Sequence, residues 1–259
     1  MHLIRSDFLF WAAGLLGHFL LIGVLWTRRR MKSFPIFTLF IAFEFLKTIV
    51  LFVIFRTATR STYDVAYYWL VTPDLLLQVG VTYEIARHTF CPTGSWAPDA
   101  KGPFTVGIAV TVLIAATLSS IPKYPKGLSG ASALTWLNFF SSAWICEILL
   151  VMIVLAATVH LPWKTHVARI AQGLGFFSLI GLLTSAGQNI TGMDRNSSFS
   201  FALTYIRMTA YLIGVAYWIV MLWREAPAPK ELPREMRNGL FTLHRRLEYD
   251  LQKFRALRK

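Results

Sequence analysis

The chain has 259 residues, 55% of them hydrophobic and 15% charged, and a formal net charge of +13. A soluble domain carries about 25% charged residues. Here the deficit is uneven, with charges nearly absent from long stretches and crowded between them, which excludes an ordinary water-soluble fold. Most basic residues flank apolar runs or follow Trp223, so lipid phosphate rather than nucleic acid is the expected counter-charge.

A helix needs about 20 mostly apolar residues to cross the hydrocarbon core. Seven runs qualify in chain order: 8–26, 35–55, 65–87, 104–121, 134–160, 168–190 and 199–223. Hydrocarbon offers backbone groups no water partner, so runs of this length are predicted to be helices. The first run is no cleaved signal peptide, because Arg28, Arg29, Arg30 and Lys32 follow it directly. That basic loop also sets the orientation. The positive-inside rule places it in the cytoplasm, with the N-terminus outside and the C-terminus inside. Tyr67, Tyr68 and Trp69 then fall near the outer boundary, and Trp163, Trp218 and Trp223 near the inner one. The expected location is a bacterial cytoplasmic (inner) membrane.

The expected fold class is all-α: a polytopic bundle over 1–224, then a hinge with Pro227, Pro229 and Pro233, then a cytoplasmic helix within 225–259. In that last segment Leu232, Met236, Leu240, Leu243, Leu247, Leu251 and Phe254 advance by about 3.7 residues per step, the period of an amphipathic helix. Its other face carries Arg234, Arg237, Arg245 and Lys253. Such a face fits anionic lipid head groups, a protein partner or self-association.

Charged side chains within spans cost about 2.5–3.5 kcal/mol each to insert, so they turn inward and find partners. Counting residues along each span at about 1.5 Å per residue puts His18, Glu44, Lys47, Asp74, Glu147 and Arg207 at one depth, in the outer to middle part of the bilayer. Glu84 lies apart, near the cytoplasmic edge beside Arg87. Gln78 shares a face with Asp74, and Tyr211 shares one with Arg207 and Thr204. Glu44 and Lys47 are three apart and can pair within their helix. Arg207 needs an acid, with Asp74 the first choice and Glu147 the second. Small residues at Ala13 and Gly17, and at Gly181 and Ser185, suit close helix contacts.

Other chemistry is sparse. Cys91 and Cys146 form no disulfide framework. The His88/Cys91 and His160/His166 spacings are not specific for a metal. No phosphate loop or nucleophile–base spacing is present, so no catalytic residue, metal or cofactor is expected.

Two resemblances bear on the fold. The stretch Leu161-Pro162-Trp163-Lys164-Thr165-His166, followed by Arg169-Ile170-Ala171-Gln172-Gly173, resembles uncharacterised bacterial seven-helix membrane proteins and implies no activity. Trp69-Leu70-Val71-Thr72-Pro73-Asp74 is similar to the third helix of microbial rhodopsins. The last span has Arg207 and no lysine, so a retinal Schiff base is not implied. Three function classes follow from the charged layer. The first is a sensor or receptor-like bundle with an outer polar pocket and the tail as output, the second a transporter or channel subunit, and the third a structural or assembly subunit.

Overall fold

Each apolar run forms one α-helix in the computed structural model, which describes residues 5–91, 98–121, 129–158, 165–190 and 198–225. The seven helices are α1 (Arg5–Thr27), α2 (Pro35–Thr57), α3 (Arg60–Phe90), α4 (Pro98–Ser120), α5 (Ser129–Thr158), α6 (Thr165–Ile190) and α7 (Ser198–Trp223). The predicted tail helix with Arg234, Arg237, Arg245 and Lys253 lies outside the described residues, as do His160 and Trp163.

Six of the helices are long and apolar enough to cross a membrane, as in a membrane-embedded helical bundle. α3 is not among them, because Asp74, Gln78, Glu84 and Arg87 lie within its length. The outward surface matches this composition. Leu9, Phe19, Trp26, Leu113, Ile121 and Leu150 are all exposed, far more apolar surface than a water-soluble monomer presents.

Around the bundle the neighbours run α1, α2, α3, α5, α6, α7 and back to α1, a closed ring of six. α3 also touches α6 across the ring. α4 packs along α5 outside this ring, and Phe104 meets Phe90 of α3 with ring centroids 5.3 Å apart. One end of the bundle gathers the starts of α1, α3 and α7 with the end of α2, through the ring pairs Phe8–Phe52, Phe55–Tyr63 and Phe10–Tyr205. The opposite end gathers the α1–α2 loop, the end of α3, the start of α6 and the end of α7.

The two halves differ in kind. The half near the opposite end is filled by one apolar cluster, with Leu21, Leu25, Phe37, Ile41, Phe90, Ile145, Met152, Leu174 and Leu222 fully or nearly fully buried. In lipid, dispersion contacts of this kind hold helices together, since tails outside are as apolar as the core. The other half holds His18, Glu44, Lys47, Asp74 and Arg207.

Close contacts fix the helix pairing. The Ile170–Gly173 stretch of α6 is stitched to α7. Trp218 Nε1 donates to the Ile170 carbonyl at 3.3 Å, and Tyr217 donates to Gln172 Oε1 at 2.6 Å. Gly173 has no room for a side chain, because a Cβ there would lie 2.2 Å from Trp218 Nε1. Gly17 of α1 likewise meets Val215 of α7, and Gly181 of α6 meets Ser142 of α5.

Candidate functional site: a polar cavity in one half of the ring

Six helices supply one cavity of about 420 Å³. α1 contributes Trp11, Gly14 and His18, α2 contributes Glu44 and Lys47, and α3 contributes Tyr67, Asp74 and Gln78. Asn138, Ser141 and Ser142 come from α5, Phe177 from α6, and Thr204, Arg207 and Tyr211 from α7. Among the described residues, none of the outlying α4 lines this wall.

The charges are paired in a definite order. Lys47 Nζ bridges Glu44 Oε1, one turn earlier on its own helix, and Asp74 Oδ2 of α3, the latter at 3.0 Å. Gln78 Nε2 donates to the other Asp74 oxygen at 3.3 Å, one turn along α3. Tyr211 donates its hydroxyl proton to Glu44 Oε2 at 3.4 Å. That proton being spent, the short contact between His18 Nε2 and the Tyr211 oxygen is satisfied when Nε2 carries the imidazole proton. A chain of donors therefore runs from α1 through α7 to α2, and each of the four carboxylate oxygens of Glu44 and Asp74 receives at least one donor.

This arrangement corrects the expected pairing of Arg207. Asp74 is taken by Lys47, not by Arg207. Arg207 lines the same cavity, with no ion pair or hydrogen bond to a side chain or backbone group among the described residues. The reason is azimuthal. Matched depth brings both residues to one cavity, but adjacency of α2 and α3 in the ring gives the carboxylate to the lysine first. Glu147 shares the layer's depth yet is not part of the cavity wall. Its Oε2 is buried without a partner among the described residues, as is Trp144 Nε1 one turn earlier on α5.

Residues that depth counting did not single out complete the wall. Asn138, Ser141 and Ser142 form a polar stripe at three- and four-residue spacing on α5, a readable signal. Trp11 and Phe177 give no signal, since aromatic residues in a span are commonly filler. Gly14 is buried at the cavity, and a Cβ built there meets nothing within 4 Å.

Glu84, set apart by its depth, has a separate task. Its carboxylate accepts from the backbone N–H groups of Ile36 at 3.0 Å and Phe37 at 2.9 Å. Those are orphan donors of the first turn of α2, whose N-cap, Phe34, has no capping side chain. Glu84 thus caps α2 from a neighbouring helix, and its negative charge suits the positive end of the helix dipole.

At the same end of the bundle, arginines hold the last turn of α7. Arg169 donates to the Met221 carbonyl at 2.8 Å and Arg30 to the Arg224 carbonyl at 2.7 Å. Arg30 also donates to His166 Nδ1 at 3.0 Å. Arg28 lies 4.6 Å over the Trp223 ring and 3.7 Å from the exposed Glu225 carboxylate. Burial and the neighbouring charges of Arg28 and Arg169 push the Arg30 guanidinium below its usual value. Each carbonyl at a helix C-terminus gains from a cation, typically about 0.3–1 kcal/mol. Among the described residues no group of three or more metal-ligating side chains is assembled. No protein-family model matches the chain, and neither a curated protein nor a solved structure matches it.

Proposed function

We propose that the chain is a seven-span membrane receptor-like protein whose cavity takes a small ligand from the outer side, with α7 linking the site to the C-terminal segment. The observation that carries this reading is Arg207, a cation on the wall of a 420 Å³ cavity with no protein partner among the described residues, beside acids that are all engaged. Pure helix glue would pair it.

α3 crosses with the other six helices in this reading. Its polar groups turn inward and are bonded, Asp74 to Lys47 and Glu84 to α2, while Val65, Trp69, Leu76, Val79 and Tyr83 face outward. Paired charges of this kind remove most of the insertion cost that hydropathy assigns to α3. The basic loop Arg28–Lys32 sits at the packed end, so the positive-inside rule puts the cavity on the outer side. The apolar cluster beneath the cavity favours a one-sided site over a conducting pathway.

Substituted-cysteine labelling tests access and orientation together. In a Cys91→Ala, Cys146→Ala background, Met208→Cys in sealed right-side-out vesicles should react with a membrane-impermeant thiol reagent added outside. Adding Gly14→Leu, whose side chain has open cavity to enter, should slow that reaction at least tenfold. Labelling only after the cytoplasmic side is opened, or a rate indifferent to Gly14→Leu, would refute the proposal.

A further inference from the structure

The cavity's hydrogen-bonding inventory points to the class of ligand, and the inference rests on the ligand-binding reading above. On the acceptor side, both oxygens of Glu44 and both of Asp74 already receive donors from Lys47, Tyr211 and Gln78. Thr204 and Ser141 donate to carbonyls of their own helices. On the donor side, Arg207 presents a planar guanidinium with five N–H groups and no acceptor among the described residues. Lys47 is engaged by two acids, whereas Arg207 is engaged by none among the described residues. The unmet donors of the wall are therefore those of Arg207, which an anion at α7 would satisfy, while the buried His18 Nδ1 is a ring nitrogen of the wall without a hydrogen-bond partner among the described residues. The remaining wall offers apolar and aromatic surface from Trp11, Phe177 and Leu75, and about 420 Å³ lies within the usual 300–1,000 Å³ range of small-molecule sites.

We propose that the cavity binds a small organic acid, its carboxylate paired in a bidentate fork with Arg207 and its apolar body against Trp11 and Phe177. A guanidinium matches a planar carboxylate with two parallel N–H···O bonds, and a desolvated site strengthens both. A phosphate monoester shares this chemistry, and the test separates it from a carboxylate.

The full chain, purified in a neutral detergent, is titrated by calorimetry with 3-phenylpropionate, with its amide 3-phenylpropionamide, and with phenyl phosphate. The acid should bind at least tenfold more tightly than the amide, a factor equal to about 1.4 kcal/mol. Arg207→Gln should bring the acid down to the amide's affinity, Arg207→Lys should retain part of the difference, and Gly14→Leu should abolish binding of both. Acid and amide binding within twofold of each other, or Arg207→Gln binding the acid as the wild type does, would overturn the anion assignment and leave the cavity reading standing. Phenyl phosphate binding tenfold more tightly than the acid would overturn the carboxylate in favour of a phosphate ligand. No binding of any probe to the wild type at millimolar concentration would overturn this inference, while the labelling assay above judges the cavity reading independently. Should Arg207→Gln fail to fold, the acid–amide comparison on the wild-type chain decides alone.

Discussion

Replacing Glu84 isolates a capping interaction that spans two helices. The carboxylate is 5% exposed and takes two backbone N–H donors of α2, at 3.0 and 2.9 Å. A hydrogen bond to a charged group contributes about 1.5–3 kcal/mol net, so the pair is worth up to about 3–6 kcal/mol where nothing replaces the carboxylate. Ser33 and Pro35 beside it are exposed, so water reaches part of this turn and the net loss for Glu84→Leu should fall near 3 kcal/mol. Glu84→Gln keeps one acceptor oxygen and turns an amide NH₂ toward the second donor, so it should lose about half as much. Unfolding of the full chain in a dodecylmaltoside–SDS titration, followed by tryptophan fluorescence, should rank the wild type above Glu84→Gln and Glu84→Gln above Glu84→Leu. Hydrogen exchange in the Leu variant should rise first at residues 36–39. A Leu variant as stable as the wild type, or exchange unchanged at the start of α2, would refute the capping argument.

Three further outcomes follow from the contacts described. Lys47→Leu leaves Glu44 and Asp74 facing each other without a cation and should cost about 3–5 kcal/mol. The triple change with Glu44→Gln and Asp74→Asn should recover more than half of that loss in the same titration, and a triple variant no better than the single one would count against the bridge. Gly173→Ala drives a methyl into the Trp218 indole and should cost about 1–3 kcal/mol. Adding Trp218→Phe should restore part of the lost stability, whereas additive losses would show that the clash lies elsewhere. Arg169→Leu removes the donor to the Met221 carbonyl and should cost about 1 kcal/mol, visible as faster hydrogen exchange confined to the last turn of α7. Unchanged exchange there would sink that assignment.

The helices were legible because apolar runs of membrane length leave few alternatives, and the depth of the charged residues was legible because each residue advances a helix by a fixed rise. Ring order was not. Nothing in α4 marks it as the helix left outside, since its composition suits lipid on most faces and a ring position equally well. Its displacement lets α3 touch α5 and brings Ser141 and Ser142 to the cavity. Pairing inside the layer depended on that order. Depth and face brought Arg207 and Asp74 to the same cavity, while Lys47, one helix away and also three residues from Glu44, took the acid. Glu147 matched in depth but differs in azimuth, which one helix's periodicity cannot fix relative to its neighbours. The role of Glu84 was hidden for another reason, because its partners are backbone groups and have no signature in side-chain pattern.

The way Lys47 is partnered also bears on the order in which the bundle can be built. A spanning chain is handed to the bilayer helix by helix, and a bare charge waiting for a distant partner would hold its helix at the interface. Lys47 does not wait, since Glu44 arrives on the same helix and Asp74 on the next one. The cation of the first hairpin in the charged layer is therefore fully paired while most of the ring is still unmade. Arg207 is the reverse case. It enters on α7, the last of the described helices, when the wall it faces already stands and Asp74 is already paired. That Lys47 rather than Arg207 holds these acids is thus a product of sequence order as much as of geometry: the carboxylates of the layer are engaged by the earlier cation before the later one arrives.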